Sequence, residues 1–417
     1  MLVRGGDFRT FYAGYATSLL GTAMSTPAAA FAVLGAGGNA TGLGWVMAAG
    51  IMPQVAVMLL GGVAADRFSR RRVMLAADAT RCAAQVAMAA ALFLGRPHIW
   101  LFVLLAVFRG TGEGFFRPAL SALTVEITPR NELGDANALF GLARSATTIA
   151  GPALAGLLIS VSGPALVIAL DAMSYGVSAL ALGRLRVGGA AASDPVSGRS
   201  LVRDLGEGWT EFRSRPWLVA TTVQFAFVNL VVWGPFLLLG PVLSVQRLGG
   251  AGAWGVIMAA FGAGAVGGGL IALGRRPRRP LVWSTVATLG YGLPCALLAI
   301  QAPVAAVAAG AVAAGIGSAL SAAFAGTVLQ QQVPAAALAR VSSYQTLGSY
   351  SAGPIGLMAA GPLALAVGPA AVLWSAAAWA TLSSMAVLAV PAVRATEYAA
   401  RPSPHPPAVS SVHDRSR

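Results

Sequence analysis

The chain has 417 residues, of which 57% are hydrophobic and only 10% charged, with a formal net charge of +14. A soluble domain of average make-up carries roughly 25% charged residues, so this composition excludes a water-covered globule and calls for lipid over most of the surface. The basic side chains are all Arg and sit between apolar runs rather than in a patch interleaved with aromatics, which excludes a nucleic-acid interface.

Apolar runs close to the roughly 20 residues of a membrane helix recur along the whole chain and predict about twelve spans. They lie near 11–34, 42–65, 73–94, 98–122, 136–160, 163–183, 217–244, 252–273, 281–300, 303–327, 343–365 and 368–391. The first run, preceded by Arg4 and Arg9, reads as a membrane helix that stays rather than a cleaved leader. With the N-terminus inside, the inner loops collect Arg67, Arg70 to Arg72, Arg130, a group from Arg184 to Arg215, Arg275 to Arg279 and Arg340. The outer loops hold only Arg96 and Arg247. This bias places both termini in the cytoplasm of a cell with a plasma (inner) membrane. The polar stretch 184–216 divides the chain into an N-terminal six-helix bundle (1–183) and a C-terminal one (217–391), joined by a cytoplasmic linker containing a short amphipathic helix. The Pro-, Ser- and Arg-rich tail, 392–417, is expected to be disordered. Cys82 and Cys295 both fall inside apolar runs and read as packing residues.

The loop after the second span reads Gly61-Gly62-Val63-Ala64-Ala65-Asp66-Arg67-Phe68-Ser69-Arg70-Arg71-Arg72. Gly62 permits close helix approach. Asp66 at a helix end can pair with Arg or cap a neighbouring helix. Gly62, Asp66, Arg67, Arg70 and Arg71 therefore read as a conformational latch, joined by Asp78 and Arg81 in the third span. The fourth span contains Arg109, Glu113 and Arg117 at i, i+4 and i+8, on one helix face. Charges inside a membrane cost about 2.5–3.5 kcal/mol each on insertion scales unless paired or wetted. This triplet is either a proton-coupling site centred on Glu113 or a static brace. Arg144 near the start of the fifth span reads as snorkelling to the interface. Gly151, Pro152 and Gly156 follow in that span, and Asp171 in the sixth is a second proton-site candidate.

Between Glu211 and Glu397 there is no acidic residue. Cavity candidates in the second half are Gln224, Asn229, Trp233, Ser318, Ser321, Tyr344 and Gln345, and so apolar a cavity suits a lipophilic or amphipathic molecule better than a sugar or an anion. Pro129 and Pro334, Leu133 and Leu338, and Arg70 and Arg275 recur at one common offset, a faint internal repeat. Repeated halves are the architecture of rocking transporters with a midplane site.

The loop motif resembles the signature of the major facilitator superfamily, with Ser69 where the family usually has Gly. Gly151-Pro152 with Gly156 resembles the fifth-span element of that family's antiporters, and Arg109 its fourth-span Arg. With Pro118-Ala119, Asn137-Ala138 and Arg340-Val341-Ser342-Ser343, the chain looks most like the bacterial branch of macrolide and siderophore exporters. That resemblance implies an all-α polytopic fold of two pseudo-symmetric six-helix bundles. It implies a monomeric proton-coupled antiporter whose partners are the lipid bilayer, protons and a small-molecule substrate. A nutrient permease, and a sensor or enzyme on the same fold, are the alternatives. No phosphate loop, Cys-His cluster or Ser-His-Asp set is present, so no cofactor, metal or enzymatic activity is expected.

Overall fold

The computed structural model describes residues 6–129, 132–185 and 201–397, except for some side chains, among them those of 58–67. Regular structure among the described residues is helical: α1 Gly6–Gly35, α2 Ala40–Arg67, α3 Arg70–Leu94, α4 Ile99–Ile127, α5 Leu133–Ser162 and α6 Pro164–Arg184 form the first half. A connector helix, α7 (Leu201–Arg213), precedes α8 Pro216–Leu248, α9 Ala251–Ala272, α10 Pro280–Ala299 and α11 Val304–Gln332. The stacked pair α12 Ala335–Tyr350 and α13 Gly353–Val367, then α14 Pro369–Ala389 and the short α15 Pro391–Ala395, complete the second half. Arg130, Arg186, Arg199, the rest of 186–200 and the tail from 398 lie outside the described residues.

Eleven of these segments are long and apolar enough to cross a membrane. The helix missing from that count is α3, 25 residues long and packed along α4 and α6. Its polarity comes from Arg70, Arg71, Arg72, Asp78 and Arg81, and from Asp78 inward these charges are buried in protein rather than exposed to lipid. It is the twelfth span. Large apolar side chains such as Leu94, Val161, Leu180, Leu270 and Leu365 stand exposed on the outer surface, as a lipid-facing surface requires.

Prolines set the breaks in the helices, because each lacks a backbone N–H. Pro235 deprives α8 of one ladder bond, and Val228–Trp233 relaxes to a π turn in which the Gly234 amide donates to the Asn229 carbonyl. Pro294 follows the 3₁₀ turn Thr288–Tyr291 within α10, and Pro354 follows the step between α12 and α13. Such irregular turns inside spans are tolerated where they face protein or a cavity.

The pairing of helices is two-fold. In the first half α2 runs along α4 and α1 along α6; in the second α9 runs along α11. The halves meet through α2 with α13 and α5 with α9. These contacts are equivalent once the second and fifth spans of one half exchange with those of the other, as the recurrent Pro, Leu and Arg positions foreshadow.

Both seams consist of backbone against backbone. A Cβ on Gly156 would stand 2.9 Å from Gly255 Cα, one on Gly44 2.4 Å from the Leu357 carbonyl, and one on Gly361 2.6 Å from Thr41 Cα. Only Gly fits at such contacts. All lie toward the face opposite the one that carries the described chain ends. At the terminal face the halves part, and Arg117, Arg144 and Tyr350 stand exposed. Gly361→Leu should therefore force this seam apart and lower the thermal midpoint of the detergent-solubilised protein, by about the 1–3 kcal/mol of an overpacked contact; an unchanged midpoint would show that this seam is not closed.

Candidate functional site

Between the halves lies a chamber of about 250 Å³. From the first half α1 contributes Thr26 and Pro27, α2 Met47, and α5 Thr147, Thr148 and Pro152. From the second half α8 contributes Trp233, Leu237 and Pro241, and α9 Trp254, Met258 and Phe261. Its polar residues are threonines whose hydroxyls are already engaged. Thr26 donates to the Thr22 carbonyl at 3.3 Å, and Thr147 and Thr148 to that of Arg144 at 3.0 and 2.8 Å. The surface they show the chamber is mainly methyl groups.

The aromatic wall is held from behind. Trp233 packs on Phe261 with ring centroids 4.9 Å apart and meets Tyr291 edge-on at 5.7 Å, while Phe236 bridges it to Trp254. The π turn of α8 turns Trp233 toward this wall, and Asn229 fixes that turn by donating to the carbonyls of Phe225 at 3.0 Å and Ser349 at 3.1 Å.

The charged part of the site belongs to the first half. Glu113 accepts from Arg81 at Oε2 (2.6 Å) and from Arg117 Nε at Oε1 (2.8 Å). Arg81 also pairs with Asp78, whose second oxygen accepts from Ser178 at 2.7 Å. The Arg81 guanidinium lies 4.1 Å from the Phe116 ring centroid and 4.5 Å from that of Tyr175. It is 2% exposed, whereas Arg117 is 59% exposed. Glu113 thus bridges a sealed cation and a wet one. Behind α1, Asp171 is fully buried and accepts from Gln85, and Tyr175 meets Thr22 at 2.9 Å. A Cβ on Gly21 of α1 would lie 2.7 Å from the Asp171 carboxylate, so α1 stands between Asp171 and the chamber.

Several expectations need correction. Glu113 is bracketed by cations, but its inner partner is Arg81 of α3; Arg109 makes no ion pair or hydrogen bond among the described residues. Among the described residues, Asp78 and Arg81 pair with this network, their side chains pointing into the bundle. Arg70 and Arg71 do anchor the start of α3. Arg70 pairs with Glu126 at 3.0 Å, and Arg71 donates to the carbonyls of Leu182 and Gly183, all within the first half. The side chains of Gly62, Asp66 and Arg67 lie outside the described residues, and the backbone of all three is helical.

Of the cavity candidates, Trp233 lines the chamber. Gln224 donates to Thr288 and Ser384, and Ser321 meets Ser284 at 2.9 Å, so both brace helices inside the second half. Tyr344 packs on Trp209 and Phe212 of α7. Ser318 neighbours Tyr291, and Gln345 is half-buried on α12. Pro152 and Gly156 lie on the seam against Gly255 of α9, with Pro152 also facing the chamber, whereas Gly151 packs within the first half against Ala23 of α1. Sequence reasoning missed Trp254, Met258 and Phe261, whose i, i+4, i+7 spacing marks one helix face. Arg144 is exposed within α5, one turn from two chamber residues. Both cysteines are free.

The profile of the Major Facilitator Superfamily matches residues 11–357. The chain belongs to this superfamily. It is therefore a multi-pass membrane protein. Macrolide efflux protein A of Streptococcus pyogenes is 26% identical over 243 residues, 58% of this chain and 60% of that protein. The chain thus spans about three-fifths of the length of that relative. Multidrug efflux pump Tap of Mycolicibacterium fortuitum is 27% identical over 404 residues, 93% of this chain and 96% of the pump. Among solved structures, a bacterial homologue of the iron transporter ferroportin in an inward-facing state superposes with a TM-score of 0.71. It has 15% identity and covers 91% of this chain and 97% of its own. A POT family transporter bound to a thioalcohol-conjugated peptide gives 0.70 at 14% identity, covering 92% and 95%. At these identities the superpositions establish the major facilitator fold alone.

Removing one member of a buried ion network leaves its partner charged and dry, at a cost of about 3–5 kcal/mol. Arg81→Met should lower the thermal midpoint of the detergent-solubilised transporter accordingly. Adding Asp78→Leu should restore most of that loss; a double variant no more stable than the single would show that Asp78 does not depend on Arg81.

Proposed function

We propose that this transporter is a proton-coupled antiporter that exports a lipophilic or amphipathic small molecule across the cytoplasmic membrane. Its termini and the open cleft face the cytoplasm. The observation that carries this reading is Glu113, held between buried Arg81 and cleft-facing Arg117. Proton coupling needs a carboxylate whose balance of partners differs between the two open states. Arg81 sits in the packed interior of one half and moves with it. Arg117 stands at the boundary between the halves, where water and substrate compete for it.

In the state described here, both Glu113 oxygens are occupied by guanidinium groups. Withdrawal of Arg117, by the substrate or by closure of the terminal face, frees one oxygen for a proton. Opening on the other side then releases substrate outward and admits a proton from outside to Glu113, and that proton passes inward when the starting arrangement returns. The apolar chamber supports a lipophilic substrate. Its volume is below the roughly 300–1,000 Å³ of common ligand sites, so in this state it holds one end of a substrate while the remainder lies in the open cleft. The named relatives, a macrolide efflux protein and a multidrug efflux pump, agree with the outward direction.

Cells of an efflux-deficient bacterium expressing the chain should accumulate less of a lipophilic dye, and a protonophore should remove the difference. Glu113→Gln should remove it as well, at unchanged membrane abundance. Export by Glu113→Gln that remains sensitive to the protonophore would remove Glu113 from the proton path. The same assay on Asp171→Asn would then show whether the path runs through α6. Higher accumulation in expressing cells would make the chain an uptake system.

A further inference from the structure

Away from the helix ends, the described membrane-spanning residues carry the cations Arg81, Arg109, Arg117 and Arg144 and the anions Asp78, Glu113 and Asp171. Asp78 and Glu113 are engaged by Arg81 and Arg117, and every oxygen of both has a partner. Asp171 is sealed behind α1 on Gln85. Two guanidinium groups, Arg109 and Arg144, have no ion pair or hydrogen bond from their side chains among the described residues. The second half supplies no counter-charge, since it has no acidic residue between Glu211 and Glu397.

Neither group lines the chamber itself, but each lies close to its rim. The Arg109 guanidinium reaches α2, within 3.2 Å of where a Cβ on Gly50 would stand, one turn from the chamber residue Met47. Arg144 is exposed and shares a face of α5 with Thr147 and Thr148, which line the chamber one turn deeper. An unpaired cation at membrane depth is costly, and it is retained where it faces water and meets a counter-charge. We infer that the substrate of this transporter is an amphipathic organic anion, its apolar body against Trp233 and Phe261 and its carboxylate or equivalent acidic group on Arg109 and Arg144. This inference rests on the transporter reading above and narrows it, and it replaces the expectation from the sequence that an anion fits poorly. The competing feature is the aromatic wall, which attracts cations through its ring faces. Arg109 lies within electrostatic reach of Glu113 and Asp171, but the four guanidinium groups outnumber the three carboxylates, and the excess positive charge near the wall repels cations.

The test uses one naphthalene ring bearing a short carboxylate, alcohol or ammonium tail, titrated calorimetrically into the full-length protein in lipid nanodiscs. Empty discs correct for partition into lipid. A charge-assisted hydrogen bond contributes about 1.5–3 kcal/mol, so the carboxylate should bind roughly tenfold or more tightly than the alcohol. The ammonium should bind more weakly than either. Arg109→Gln and Arg144→Gln should each remove most of the advantage of the carboxylate and leave the alcohol unchanged, while Arg144→Lys should keep it. The inference is overturned by an ammonium that binds as well as the carboxylate, by no measurable carboxylate binding, or by an advantage that survives both Gln variants. Cellular export of the same three compounds separates the two readings. If none is exported while the carboxylate still binds, export fails and the charge preference stands. If the ammonium alone is exported, the reverse holds.

Discussion

One buried guanidinium organises the first half of this transporter. Arg81 is the largest side chain among the fully buried ones, and a cation at that depth is tolerable only with its partners fixed around it. Asp78 supplies one charge from the same helix and Glu113 another from α4; the rings of Phe116 and Tyr175 cover its faces. Gly112 belongs to the same arrangement, since a Cβ there would stand 2.7 Å from Arg81 Cγ. With Ser178 holding Asp78 from α6, the cluster ties α3, α4 and α6 into a single unit. Arg70 and Arg71 repeat the tie at the start of α3. A half-bundle that must rock as a body needs such internal rigidity, and the polar contacts that provide it lie within each half rather than between them.

Between the halves the contacts have the opposite character. Gly156 against Gly255, and Gly44 and Gly361 against the neighbouring backbone, form seams without ion pairs among the described residues, and apolar side chains of both halves pack around them. Association of this kind rests on close packing alone, which a change of angle can break and re-form. Trp233 and Pro152 meet the chamber where two such seams converge, so closure on the opposite face also shapes the apolar wall. Arg117 then occupies a singular position: it is bonded to the rigid interior through Glu113, yet it lies exposed in the gap that rocking opens and closes. On the mechanism proposed above, motion between the halves would change the company Glu113 keeps.

The sequence made the spans legible because a bilayer dictates their length and apolar character, and Arg placement dictates their sense. It made the Glu113–Arg117 pair legible because i, i+4 neighbours meet on any helix. Arg81, the stronger partner, is 32 positions away in sequence and on another helix, and no local rule links the two. Gln224, Ser321 and Tyr344 misled for a related reason. A polar side chain in a span must satisfy its hydrogen bonds, and doing so across a helix–helix contact leaves the same trace in sequence as doing so at a cavity. The chamber is instead marked by the apolar stripe Trp254, Met258 and Phe261, and by threonines whose hydroxyls turn back onto their own helices.

The charge of the substrate bears on how much carboxylate chemistry such an antiporter needs. Moving one charge through a membrane potential is worth about 2.3 kcal/mol per 100 mV. Exchange of one proton for a departing monovalent cation moves no net charge, so only the pH gradient drives it. Exchange of one proton for a departing monoanion moves two charges in the direction an inside-negative potential favours, about 4.6 kcal/mol per 100 mV at twice the single-charge value. Glu113 is the one carboxylate among the described membrane-spanning residues that reaches the cleft, and a single carboxylate carries a single proton. A cation exporter built on that inventory would run on the pH gradient alone, whereas an anion exporter draws on the whole proton-motive force. On the proposed reading, the excess of guanidinium over carboxylate among the described membrane-spanning residues and the single cleft-facing Glu113 would serve the same exchange.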